Sequence, residues 1–211
     1  MKHIFTSKNQ LNAYLSIFFI LLFSFYQLIP ESFSSMLVSD TGILSIITLL
    51  VILMTFMSII FILNNCESRQ EKISFYLLAY IVLIYFFREA DLHRLLTEEH
   101  VTRFKYYTDA SIDIKERFLY GSILIIFMLS SCLIFYRYAK FYFLSLKEMQ
   151  TWSVSLFLFF ILLLISQIAD KSFLNDTVSG RILEELMEFS AAIYAFLATY
   201  YGGLVIKNKN G

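Results

Sequence analysis

The sequence predicts an all-α protein, a polytopic transmembrane helical bundle with six spans. Three observations carry that reading. The chain of 211 residues is 58% hydrophobic and 16% charged, against roughly 25% charged residues in an ordinary soluble domain. Its apolar residues fall in unbroken blocks of membrane-crossing length and do not alternate as barrel strands do. With one Pro and six Gly, it is neither linker-rich nor collagenous. Backbone in lipid must satisfy its own hydrogen bonds, so such blocks must be helices. The 17 basic and 17 acidic residues cancel, which leaves no basic excess for nucleic acid. The lipid bilayer is the partner that this composition implies.

The spans follow in order. Span one, about residues 11–29, runs from Leu11 to Ile29 and stops at Pro30. Lys2 and Lys8 precede it as in a signal peptide, but the apolar run is too long and no small-residue cleavage motif follows. Span two, residues 43–63, ends at Asn64 and Asn65. Span three starts at Ile73 and stays apolar only to Phe87. A helix of that length reaches about 22 Å, short of a hydrocarbon core of about 30 Å. No Gly or Pro intervenes, so the helix is expected to run on to at least His93, giving residues 73–93. Span four is residues 118–136. Span five is residues 152–169, with Trp152 placed as an interface anchor. Span six, residues 186–206, is apolar from Phe189 and has a helical lead-in from Arg181. The whole of 1–211 reads as one domain without internal repeats.

Charge counting orients the bundle. The amino terminus, residues 64–72, residues 137–150 and the tail after Ile206 hold nine Lys/Arg and three Asp/Glu. The other side holds eight and fourteen. Arg137, Lys140 and Lys147 crowd the connection after span four, whereas the connection after span one has no basic residue. Basic residues in short loops mark the cytoplasmic side, so both termini are expected there. Cys66 and Cys132 read as small apolar side chains, not as a bridge. Tyr106-Tyr107 and Phe141-Tyr142-Phe143 fall in connections beside charges and read as interface-lying segments or anchors. Asn175-Asp176-Thr177 has the form of a glycosylation acceptor.

The polar residues concentrate on the outer side. Arg88, Glu89, Asp91, His93 and Arg94 follow span three, with His100 beyond. A continuing helix would put Glu89 and His93 one turn apart on one face. Before span six, Arg181, Glu184, Glu185 and Glu188 recur at spacings of three and four. Inward from them on the same face come Ala192, Ala195, Thr199 and Gly202, a small-residue stripe of the kind that lets membrane helices approach. Glu188 is therefore expected to point into the bundle, within reach of the Arg88–His93 segment. Asp170 and Lys171 close span five on the same side.

The Arg88-Glu89-Ala90-Asp91-Leu92-His93 segment resembles that of a family of small bacterial inner-membrane proteins without an assigned activity. In that family a Lys-Asp-type pair and a Leu-Glu-Glu-x-x-Glu segment come later. The matching positions here are Asp170 and Lys171, then Leu183, Glu184, Glu185 and Glu188. The resemblance implies a multi-pass protein of the bacterial inner membrane and implies no reaction.

Two functional readings follow. In the first, the protein is structural, accessory or sensing. Arg88, Asp91, Arg94, Asp170, Lys171, Glu184 and Glu188 then form a salt-bridge network, and the partner is another membrane protein. The near absence of charge in mid-span argues against a proton pump or ion-coupled transporter. In the second, the protein is a metal-dependent hydrolase or transferase acting on a lipid headgroup at the outer leaflet. Glu89, His93 and Glu188 would bind a divalent metal such as zinc, with a position left for water. Glu185 or Glu184 would hold a proton, and Arg88 or Arg94 would hold a phosphate. No His-Glu-x-x-His, Glu-x-x-His, Gly-x-Ser-x-Gly or phosphate-loop motif occurs in the chain.

Overall fold

A computed structural model describes residues 2–26, 42–90, 104–108, 112–171 and 178–210. Among them the regular structure is entirely helical. The helices are α1 (Lys2–Tyr26), α2 (Ile43–Asn65), α3 (Arg69–Glu89), α4 (Phe104–Thr108), α5 (Ile114–Lys147), α6 (Thr151–Lys171) and α7 (Val178–Asn210). Among the described residues, four segments are long and apolar enough to cross a membrane: α2, α3, α5 and Thr151–Ala169 of α6. The apolar stretch Asn12–Ser24 of α1 is shorter. Residues 186–206 lie in the unbroken helix α7.

The chain forms two compact units, Met1–Ser58 with Lys140–Gly211, and Ile59–Ala139. In the first unit α7 lies along α6, and α1 packs on both. Helix α7 buries Ile182, Leu186, Ser190, Tyr194 and Ala198, a row of every fourth residue that stacks on one face. Leu44 of α2 joins Ile182 and Leu186 in an apolar cluster edged by Leu22, Phe23 and Phe189. The Phe19 ring stands edge-on to both Phe189 and Tyr194, with centroids 6.0 Å apart in each pair. Lipid tails are as apolar as these side chains, so close packing and hydrogen bonds must hold the helices together. Small residues supply the close packing. Ser153, Ser155 and Ser166 of α6 and Ser190, Ala191 and Ala192 of α7 are all fully buried. The stripe continues less tightly: Ala195 and Thr199 are half-buried, and a Cβ added at Gly202 would meet nothing.

The connection expected after span four is mostly helix, because α5 continues to Lys147. Phe141 and Tyr142 thus lie on α5, not in a loop. Phe141 stacks on Trp152 at 5.2 Å, and Tyr142 meets the same ring edge-on at 6.1 Å. The helix then ends in a Schellman motif. The Gln150 N–H donates to the Ser145 carbonyl and the Met149 N–H to that of Leu146, with Met149 left-handed at φ 53°.

In the second unit, α3 starts earlier than the expected span three. Its length is made up at the amino-terminal end, where Arg69-Gln70-Glu71-Lys72 adds a helical turn. Twenty-one residues reach about 31 Å, the charged turn included. Ser68 caps the start in extended conformation, and Ala90 caps the end at φ −78°, ψ 2°. The expected continuation to His93 runs past that cap into residues outside the described ones. The Tyr80 hydroxyl ties α3 to α5 by donating to the Ile123 carbonyl at 2.9 Å. On α4, Tyr106 is 2% exposed and packs edge-on against Tyr107 and Tyr120. It is a buried packing residue, not a surface anchor.

Candidate functional site

The acidic turn at the start of α7 supplies two side-chain contacts to other helices. Its helical spacing spreads four charged residues around one flank: Arg181 is exposed, Glu184 and Glu185 are half-buried, and Glu188 is 9% exposed. The Ser45 hydroxyl of α2 donates to Glu185 Oε2 at 3.1 Å. The Ser166 hydroxyl of α6 donates to Glu188 Oε1 at 2.9 Å. Two carboxylates one turn apart on α7 therefore reach two different helices. A carboxylate offers about four acceptor positions, and a serine hydroxyl fills one of them. This geometry can lock helices together.

A second polar cluster lies toward the opposite end of α6. Asn12 of α1 is buried and its Oδ1 accepts from Ser155 at 3.1 Å. Tyr194 of α7 donates its hydroxyl to the Asn12 carbonyl at 3.1 Å and shares a 2.8 Å bond with Ser16. The hydroxyl of Ser155 also reaches the Thr151 carbonyl at 2.9 Å. These bonds join α1, α6 and α7 where apolar packing alone would let them slide.

In the other unit, Arg88 Nε lies 3.7 Å from Glu89 Oε1, with side chains 42% and 9% exposed. The sequence also offers Asp91 as a partner of Arg88, and Asp91 lies outside the described residues. Asp91, His93, Arg94 and His100 lie outside the described residues, as do the side chains of Asp170 and Lys171. The expected meeting of Glu188 with the Arg88–His93 segment falls partly there. Among the described residues no three His, Cys, Asp or Glu gather as a metal-binding group.

Two titratable groups outside the spans are shifted by their surroundings. Burial pushes the Cys66 thiol upward; the Glu71 carboxylate adds to this and Lys72 opposes it. Burial also raises the Tyr107 phenol, whose backbone carbonyl accepts from Arg117 Nη1 at 3.4 Å.

Sequence reasoning missed Ser45, Ser166, Ser155 and Asn12. The signal was available: each is a polar residue within or beside an apolar block, where a hydroxyl or amide must find a partner. No family model, curated protein or solved structure matches the chain.

Proposed function

We propose that the chain is a small integral inner-membrane protein of structural, accessory or sensing type. In this reading it crosses the membrane six times with both termini cytoplasmic, and its Glu/His/Arg cluster lies at the outer surface. The observation that carries it is the pair of serine–glutamate bonds from α7 to α2 and α6. Each carboxylate is engaged by a neutral hydroxyl of a different helix. That is how a joint between helices is built, and it spreads the acids apart instead of converging them on one ion. The six apolar blocks support the span count, and the basic connection after span four supports the orientation.

The test uses the purified full-length chain and its Glu185→Gln and Glu188→Gln variants. A structural joint gives lower accumulation in membranes for both variants and no stoichiometric zinc in the native chain. Stoichiometric zinc that disappears in Glu188→Gln would replace this reading with the metal-dependent one. Single cysteines at Asp109 and Asp176 should react with a periplasmic reagent, and those at Lys147 and Lys209 should not. The reverse pattern would overturn the orientation.

A further inference from the structure

The second unit carries a groove between α3 and α5, at the end opposite Glu89. Ile73 and Leu77 form one wall, and Leu133 and Ile134 form the other, around a volume of about 320 Å³ that is not closed over. Tyr136 and Arg137 line its end. Arg137 is the one ionised side chain in the lining, and no carboxylate accompanies it. Its Nη2 donates to Gln70 Oε1 at 3.1 Å, and its guanidinium carbon lies 5.5 Å from the centre of the Tyr138 ring. The cation is thus held against Gln70 and Tyr138 on an exposed residue, and a guanidinium has five donors in all. Ser74, also in the lining, donates its hydroxyl to the Gln70 carbonyl and so adds no competing donor. Arg69, Glu71 and Lys72 stand on the same first turn of α3, two cations and one carboxylate outside the groove's lining.

We propose that this groove holds an anionic phospholipid, with one acyl chain between the two helices and the phosphate on Arg137. The argument is charge complementarity at a defined depth. An apolar channel between helices takes a hydrocarbon chain at no desolvation cost in a bilayer. A guanidinium at its mouth matches a phosphate by paired donors, which a zwitterionic headgroup partly cancels with its own amine. Tyr136 and Tyr138 flank the arginine, as aromatic residues do at headgroup level. This site is independent of the acidic residues of α7 and of the function proposed for them.

The test compares phosphatidylglycerol with phosphatidylethanolamine of the same acyl chains, titrated onto the full-length protein in neutral detergent and read by native mass spectrometry. The native chain should prefer phosphatidylglycerol by about tenfold, the scale of one charge-assisted contact. Arg137→Gln should abolish the preference. Leu133→Trp, which fills the groove, should weaken binding of both lipids while leaving the chain's thermal unfolding close to native. Equal binding of the two lipids by the native chain, or a preference that Arg137→Gln retains, overturns the proposal. So does lipid-independent crosslinking of two copies through Leu77→Cys, which would make the groove an interface between chains.

Discussion

Removing the Ser166 hydroxyl should cost more when Glu188 is a carboxylate than when it is an amide. Ser166 is fully buried, Glu188 is 9% exposed, and their bond is 2.9 Å long. A hydrogen bond to an ionised acceptor contributes about 1.5–3 kcal/mol, and a neutral one about 0.5–1.5 kcal/mol. Ser166→Ala should therefore cost about 1 kcal/mol less in a Glu188→Gln background. Interhelical bonds measured in membranes average about 0.6 kcal/mol and reach about 1.7 kcal/mol, because helices separated within the membrane also find partners. A coupling of about 1 kcal/mol sits within that range, above its mean. The assay is a double-mutant cycle on unfolding free energy, titrated with sodium dodecyl sulfate in mixed micelles. Independent sites add to within about 0.3–0.5 kcal/mol. A coupling below about 0.3 kcal/mol would show that the charge on Glu188 adds nothing to this bond and would refute the reasoning.

Three further outcomes follow from the geometry. Tyr194→Phe should cost about 1 kcal/mol in the same titration, and Ser16→Ala less, because the phenol reaches both Ser16 and the Asn12 carbonyl; equal costs would mean that the contact to Asn12 is idle. Met149→Gly should raise stability by roughly 0.5–1 kcal/mol and Met149→Val should lower it, since φ 53° is a left-handed position that strains a side chain; a destabilising glycine would refute the Schellman end. In a Cys132→Ser background, Cys66 should react slowly with a maleimide at pH 8, and Glu71→Gln should speed it. Burial and the Glu71 charge both hold the thiol above its usual value of 9.0, so removing the charge lowers the thiol toward that value and increases the reactive thiolate. An unchanged rate would show that burial alone controls the site.

Hydropathy located the helices well where apolar and polar residues meet abruptly. The block Ile43 to Leu63 became α2, Ile43–Asn65, and the lead-in to span six is part of α7 from Val178. Hydropathy failed where helix continues through charge. Arg, Lys, Gln and Glu are good helix formers, so Arg69 to Lys72 extend α3 without any apolar signal, and α5 continues to Lys147 although Arg137 and Lys140 interrupt its apolar residues. Span three was short by a known length, but the sequence has no breaker on either flank to say which end grows. The candidate site was legible as acids at helical spacing. Its partners were not, because Ser45 and Ser166 are two of many serines. Their selection depends on how α2 and α6 turn toward α7, which is a property of packing and not of local sequence.

The serine–glutamate bonds also set how the two functional readings can be told apart. A carboxylate bonded by one hydroxyl retains acceptor positions, so the Ser166 contact does not by itself prevent Glu188 from ligating an ion. The readings differ in what the carboxylate's contribution depends on. If Glu188 acts as a joint between α6 and α7, chelation leaves the native chain's stability unchanged, and the coupling between Ser166 and Glu188 survives it. If Glu188 binds metal, part of the folding free energy is metal-binding free energy. Chelation then removes most of the cost of Glu188→Gln, and the cost of Ser166→Ala remains. Running the same cycle with and without a chelator therefore separates the joint from the ligand without knowledge of any substrate. The hydrogen bond that points to a structural role thereby serves as the internal reference for testing the catalytic one.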